Sequence, residues 1–330
     1  MISESPVRWG IVSTGRIAHS FASDFEYVKN GKLTAVASRN SSTAAAFASE
    51  YDIANVYGSY RELFESDQVD AVYIATPHTL HLMNILNALD AGKAVLCEKP
   101  FTVNSLECER VIKRADETGI FVMEAMWTYF LPAIQKAKKW VEEGRIGQLR
   151  HIKADFGYPQ LPFDAARREY DKDLAGGCLL EMGIYPIALA WLFSGEDPID
   201  VQVQSNLAPN GVEDDVSILF RYQDSFATLG TSFRCKLQNW AYIIGDEGYI
   251  AIPDFWRASE CYLHELDTQV DLFKDNRRSI GLNYETDAAS AAIRSSEKEV
   301  ADMPLSTTLT FQRHIDLVRQ HIQEAHQTTV

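Results

Sequence analysis

Along the first 125 residues, apolar runs of strand length alternate with stretches whose apolar positions recur at helical spacing. VRWGIV (7–12) has the near-continuous apolar character of a strand buried on both faces, and a helix is expected to begin near Arg16. KLTAVAS (32–38) predicts a second strand and TAAAFASEY (43–51) an alanine-rich helix. DAVYIAT (70–76) predicts another strand. TLHLMNILNALDAG after it predicts a helix with Leu82, Ile85, Leu86 and Leu89 on one face. KAVLC and IFVMEA are strands divided by an amphipathic helix, NSLECERVIKRADETG. Its N-cap is Asn104, Glu107 is at the third helical position, the apolar face is Leu106, Val111, Ile112 and Ala115, and Gly119 is the stop. Such alternation predicts a parallel sheet covered on both faces.

The pattern changes after about residue 150. DVSILFRY (215–222) alternates with period two, a short turn leads to SFATLGTSF, and WAYIIGDEGYIAI reads as a hairpin around Asp246, Glu247 and Gly248. Short turns between adjacent strands predict an antiparallel sheet. Residues 306–326 return to helix, with Leu309, Ile315 and Val318 apolar. The predicted fold class is therefore α/β: a doubly wound Rossmann sheet over 1–125, then an α+β domain over 126–330 with a large, mostly antiparallel open sheet. The last helix is expected to pack back on the first domain.

Composition narrows the partners. The 330 residues are 46% hydrophobic and 23% charged, with a net charge of −15, which disfavours nucleic acid or an anionic membrane as partner. No segment is expected to reach the roughly 18 apolar residues that span a bilayer. MISESPVRW lacks the basic and apolar regions of a signal peptide. The odd, scattered set of five cysteines, with no C-x-x-C, favours reduced thiols and a cytoplasmic location.

The turn after the first strand, STGRIA, aligns with G-x-G-x-x-G/A when Ser13 takes the first position, Gly15 the second and Ala18 the third. Thr14, Arg16 and Ile17 complete a loop whose backbone would cradle a pyrophosphate; a degenerate glycine loop is also a plain tight turn. The second strand ends in Ser38, Arg39 and Asn40, where an NAD site would carry an acidic residue. A guanidinium there pairs with a 2′-phosphate and favours NADP(H), although a solvated loop arginine reads the same way.

Ligands of doubly wound sheets lie at the carboxyl ends of the strands. The loops ATPHTLH, with Thr76, His78 and His81, and CEKP, with Glu98, Lys99 and Pro100, should therefore open on the same crevice as Gly15. Lys99 would hold a hydroxyl, with Glu98 orienting it; the bland alternative is a surface ion pair. His78 and His81 form H-x-x-H, but no third ligand has convincing spacing, so no metal is expected. His78 would line a nicotinamide pocket or cap the helix. Further on, GGCLLEMGIY (176–185) places Glu181 and Tyr185 at i and i+4 of an apolar helix, which suggests either a site or a core tyrosine bonded to a carboxylate.

VRWGIVSTGRIA, CEKPFTVN, EAMWTYFLPAIQKAKKWVEEGRIGQLRHIKADFG and GGCLLEMGIY, in that order over most of the first 190 residues, resemble the Gfo/Idh/MocA oxidoreductase family. The resemblance implies a Rossmann domain binding NADP(H), and a homodimer through the second domain's sheet. It assigns acid–base catalysis to Lys99 and Tyr185, substrate placement to Glu181, and the pocket walls to Trp127 and Phe156. The expected activity is hydride transfer to or from a CH–OH or CH–CH group of a sugar, polyol or cyclic trans-diol such as D-xylose or a trans-dihydrodiol. Tyr185 would take the hydroxyl proton, with the Lys99 cation favouring phenolate. Glu181 replaces the family's usual aspartate and Ser13 a glycine. A non-catalytic dinucleotide sensor and an NAD-dependent glycosidase share this architecture; the first has no need of Lys99 with Tyr185, and Arg39 argues against the second.

Overall fold

A computed structural model describes residues 5–327; residues 1–4, where the expected absence of a signal peptide partly falls, and 328–330 lie outside it. The chain forms two compact units, 1–127 with 277–309 and 128–276 with 310–330. Residues 277–309, which the sequence reading assigns to the second domain, thus belong to the first unit.

The first unit runs β1 (Val7–Val12), α1 (Arg16–Asp24), β2 (Gly31–Ala37), α2 (Ser41–Glu50), β3 (Asn55–Tyr57), α3 (Tyr60–Glu65), β4 (Ala71–Ile74), α4 (His81–Asp90), β5 (Ala94–Glu98), α5 (Ser105–Thr118) and β6 (Val122–Ala125). The strands make one six-stranded sheet in the order β3-β2-β1-β4-β5-β6, every neighbour parallel. The order reverses beside β1, which opens a crevice at the carboxyl ends of β1 and β4. Asn104 caps α5, its side chain accepting from the Glu107 amide at 2.9 Å, and Gly119 ends the helix at φ +67°. The apolar face of α5 needs one correction. Leu106 is 71% exposed, and the buried stripe is Cys108, Val111 and Ala115, because two residues of helix turn Leu106 about 200° from Cys108.

The second unit continues with α6 (Pro132–Glu142), β7 (Leu149–Gly157), a widened helical turn over Leu179–Gly183 that leads into α7 (Ile184–Ser194), and then β8 (Asp200–Leu207), β9 (Glu213–Arg221), β10 (Phe226–Ser232), β11 (Trp240–Gly245), β12 (Tyr249–Pro253), β13 (Glu260–Glu265) and β14 (Thr268–Lys274). These strands form an eight-stranded sheet, β14-β13-β12-β11-β7-β10-β9-β8. The predicted β9–β10 and β11–β12 hairpins are antiparallel. The pairing of β7 with β10 is parallel, a contact between strands some seventy residues apart that no local pattern announces. Ile152, Ala154 and Phe156 of β7 are buried and alternate with His151, Lys153 and Asp155; α7 packs on the sheet over β7 and β10.

The run Lys172–Ser194 holds, against expectation, an 18-residue window whose mean hydropathy, 1.5, is that of a membrane-crossing helix. Its apolar stretch is 78% buried inside the protein, as a core helix is.

The chain returns to the first unit through α8 (Leu282–Arg294). The Asp24 carboxylate accepts from the amides of Ile280, Gly281 and Leu282 at 2.8–2.9 Å, which caps α8, and the Trp9 indole donates to Ser290 Oγ at 3.0 Å. In α9 (Leu305–Gln327), Leu305 and Leu309 join the first unit's core, while Ile315 and Val318 are buried in the part assigned to the second.

Candidate functional site

In the first unit the site is built on strand ends. Ser13, at φ +93°, turns the chain sharply out of β1, in the left-handed region that favours glycine. Gly15 follows as the residue before α1, exposed like Arg16 and Ile17, and no side chain caps the helix. A Cβ on Gly15 would meet only Ser13 Oγ at 3.8 Å and the Ala75 carbonyl at 3.9 Å. Nothing inside the protein therefore demands glycine there. What glycine leaves is an open, uncapped helix N-terminus, which suits the pyrophosphate of a dinucleotide. Thr14 is half-buried.

At the end of β2, Ser38 Oγ accepts from the Asn40 amide and Asn40 caps α2 through Ser42 and Thr43. Arg39 is exposed and has no hydrogen-bond or ion-pair partner among the described residues. The sequence therefore leaves one cation, and no carboxylate, at the position that reads a ribose.

The Glu98-Lys99-Pro100 turn is fastened from several sides. Glu98, the last residue of β5, is buried. Its Oε1 accepts from the Tyr73 hydroxyl and its Oε2 from the Lys99 amide at 3.1 Å. Tyr73 is wholly buried and stacks on Phe21 with ring centroids 3.6 Å apart. Burial, then the neighbouring Glu98 charge, push its phenol well above the usual range, so it stays a donor. The Lys99–Pro100 bond is cis, and Lys99 is half-buried. The Phe101 amide donates to Glu124 Oε1 at 2.9 Å; burial raises the Glu124 carboxyl to about 8.

Thr76 is buried, its hydroxyl accepting from Asn84 Nδ2 at 3.2 Å. His78 is buried with its ring 5.8 Å from that of His81. His81, read from the sequence as a cofactor contact, is fully buried, with Nδ1 2.9 Å from the Pro100 carbonyl and Nε2 2.8 Å from that of Thr76. Both ring nitrogens are spent on backbone, so His81 offers a cofactor no polar atom. Trp127, at the end of this unit, is 9% exposed. No group of three or more potential metal ligands occurs among the described residues.

In the second unit, Tyr185 stands in the first turn of α7, and the preceding turn, Leu179–Gly183, is π-wound. Pro186 accounts for the wider turn: it has no amide for the Met182 carbonyl, and its ring presses on that carbonyl. Glu181 and Tyr185 are thus not spaced as on a regular α-helix. The paired glycines upstream are sterically required, since a Cβ on Gly176 would lie 2.7 Å from the Glu169 carbonyl.

Tyr185 is buried, its ring edge-on to Phe156 at 5.4 Å, and Phe156 stacks on Trp256 at 4.2 Å. The alternation along β7 that buries Phe156 brings it beneath α7. Trp256 was missed from sequence, because its approach depends on how the chain after β12 folds over β7. Glu181 is engaged by the Arg168 guanidinium, a partner thirteen residues upstream and likewise unread in the sequence.

A doubly wound sheet with an uncapped glycine turn, followed by a unit built on a large open sheet, defines a dinucleotide-binding architecture. The chain belongs to the Gfo/Idh/MocA oxidoreductase family: residues 7–126 match its NAD-binding Rossmann fold and residues 134–251 its C-terminal domain. It is 35% identical to the trans-1,2-dihydrobenzene-1,2-diol dehydrogenase of Mus musculus over 91% of this chain and 92% of that protein. Against the Homo sapiens enzyme of the same name the identity is 32%, over 96% and 97%. Among solved structures, a 3-ketoreductase from Actinomadura kijaniata, crystallised with NADP and TDP-benzene, superposes with a TM-score of 0.84 at 27% identity, covering 96% of this chain and 98% of the other. An aldose-aldose oxidoreductase from Caulobacter crescentus shares the fold, with a TM-score of 0.88 at 20% identity over 97% and 98%.

Proposed function

We propose that this protein is an NADP-dependent dehydrogenase or reductase acting on a secondary alcohol, or the corresponding carbonyl, of a small sugar, polyol or cyclic trans-diol. The observation that carries the reading is the Glu98-Lys99-Pro100 turn, fixed at the carboxyl end of β5 in the same sheet whose β1 end holds the Gly15 cradle. Dehydrogenases named for trans-1,2-dihydrobenzene-1,2-diol, and the NADP-bound 3-ketoreductase, support the substrate class and the cofactor.

Gly15 and the first amides of α1 would hold the pyrophosphate, and Arg39 the 2′-phosphate of the adenosine ribose. Bound NADP+ supplies the hydride acceptor. In the oxidation, Tyr185 takes the proton of the substrate hydroxyl as the carbon gives up hydride, so a C–H and an O–H bond are exchanged for a C=O bond. Lys99 holds the substrate oxygen with its ammonium. The Phe156–Trp256 stack gives an apolar surface beside Tyr185, suited to a ring diol or the apolar face of a sugar. We also propose a homodimer through the face of the second unit's sheet that carries the stacked pairs Trp240–Tyr242 and Tyr249–His264, all half-buried in the single chain.

The test is NADPH formation from NADP+ with D-xylose, D-glucose, myo-inositol and a trans-dihydrodiol, with NAD+ in parallel. Turnover of at least one, preferring NADP+, is expected. NADPH binding without turnover of any of them in either direction would point instead to a dinucleotide sensor. Arg39→Ala should weaken NADPH binding about 10- to 100-fold, the loss of one charge-assisted contact, and leave NADH binding unchanged. An equal effect on both would remove Arg39 from the 2′-phosphate. Light scattering that finds a monomer at micromolar concentration would overturn the dimer.

A further inference from the structure

We propose that His81 is a positioning residue held as a buried imidazolium, clasping the loop after β4 to the Glu98-Lys99-Pro100 turn.

The argument is a count of donors and acceptors. Nδ1 is 2.9 Å from the Pro100 carbonyl oxygen and Nε2 is 2.8 Å from the Thr76 carbonyl oxygen. A carbonyl oxygen only accepts, and a neutral imidazole has a single N–H. Either neutral tautomer would therefore set a nitrogen lone pair against an oxygen lone pair at hydrogen-bond distance, with no water, since the side chain is fully buried. The doubly protonated ring gives each carbonyl a charge-assisted donor and has no such conflict. Desolvation opposes a buried cation. Two charge-assisted hydrogen bonds, stronger than neutral ones, act against that cost.

The surroundings do not repel the charge strongly. Among the described residues, the buried or half-buried titratable groups next to the clasp are His78 in the preceding turn, Tyr73 on β4, Cys97 and Glu98 on β5, Lys99, Cys108 on α5, and Glu124 on β6; Arg61, Glu62 and Glu65 of α3 are exposed, and on α5 Arg114 is paired with Asp90. Burial keeps the Cys97 thiol protonated, and the Glu98 carboxyl accepts two hydrogen bonds. Lys99, whose backbone amide is one of those donors, is the one fixed cation among these buried or half-buried groups.

The clasp has a purpose in the two backbone segments it joins. Thr76 follows the strand at the sheet's switch point, and its hydroxyl is held by Asn84 from the same helix as His81. Pro100 follows Lys99. His81 thus fixes the distance between the loop that borders the dinucleotide crevice and the turn that carries the lysine. This part rests on the proposed dehydrogenase function; the charge state does not.

The experiment begins with long-range ¹H–¹⁵N NMR of the histidine rings in the ligand-free protein, the His81 signal being assigned by its loss in His81→Phe. Imidazolium shifts on both nitrogens at pH 7, persisting above pH 8, are expected; one pyridine-like nitrogen at pH 7 overturns the charged clasp. Assignment by triple-resonance spectra replaces the variant if it does not fold. His81→Phe should also raise the NADPH dissociation constant at least 10-fold and lower turnover. His81→Gln, able to donate to one carbonyl, should recover part of both. Wild-type NADPH affinity and turnover in His81→Phe overturn the positioning role. Should the wild-type protein itself fail to bind NADPH, the dehydrogenase reading fails, and the ring spectra still decide the charge.

Discussion

Two regions carry the groups assigned to chemistry, and they are held in opposite ways. The Lys99 turn of the first unit is tied by buried, directional bonds: Tyr73 on Glu98, Glu98 on the Lys99 amide, His81 on Pro100 and Thr76, Glu124 on the Phe101 amide. The Tyr185 region of the second unit packs on an aromatic stack beside a π-wound turn, and the ion pair on Glu181, from Arg168, is partly open to solvent. A network of buried polar groups admits one geometry or fails, whereas stacked rings and a half-exposed ion pair adapt to what lies against them. The first arrangement suits a step common to every substrate. The second suits a surface on which substrates differ.

The largest effect should come from the fixed side. Lys99→Met removes the ammonium and keeps the backbone amide that donates to Glu98. Turnover should fall by about 10²–10⁴, the range of a lost acid–base group, with the melting temperature almost unchanged. Turnover within threefold of wild type would show that the turn is built for structure alone. Next comes the strap itself. Tyr73→Phe keeps the stack on Phe21 but removes the Tyr73 donor from Glu98 Oε1, and should cost about 1–3 kcal/mol in urea denaturation. Wild-type stability would mean that Glu98 finds water instead, and that the turn is looser than its hydrogen bonds imply.

The same contrast explains what the sequence disclosed. The Rossmann half was legible because its signals are local: apolar strand runs, the Asn104 cap, the Gly119 stop and the glycine turn each lie within one element. Lys99 and Tyr185 stood out as polar residues in apolar runs, but their roles came from resemblance to a family. The partners did not stand out. Tyr73 meets Glu98, and His81 meets Pro100, only once β4 and β5 lie side by side. The parallel β7–β10 pairing and the return of 277–309 to the first unit are long-range as well. His81 looked like a ligand because a histidine near a strand end is ambiguous until both its nitrogens are placed. The π turn had a local sign, Pro186, which lay unread within an apolar run.

A smaller effect separates burial from bonding within the fixed region. The Glu124 carboxyl is raised to about 8, chiefly by burial, from an ordinary value near 4.5. Between those two values the folded protein holds a proton that the unfolded chain has released. This group therefore makes stability fall as pH rises from about 4.5 to about 8. Glu124→Gln keeps an oxygen for the Phe101 amide and cannot ionise. Its stability should decline less than that of the wild type over this window, so that the difference between the two grows in the variant's favour towards pH 8. Parallel denaturation midpoints from pH 5 to pH 9 would show that Glu124 ionises normally and that the pocket around it is wet.

The smallest effect on the fold belongs to the adaptable side, where Arg168→Met tests whether adaptability is the right word. The pair it removes has side chains 39% and 22% exposed, so solvent screening leaves it worth no more than about 1 kcal/mol. The melting temperature should barely move. Glu181, freed of the guanidinium, would accept hydroxyl donors more readily, so the KM for a polyhydroxylated substrate such as D-xylose should change several-fold relative to that for a cyclic diol, with little change in kcat. That split is expected of a group that selects substrates without entering the chemical step. A fall in kcat equal for every substrate would instead make Arg168–Glu181 a strap like Tyr73–Glu98, and the two regions would no longer differ in kind.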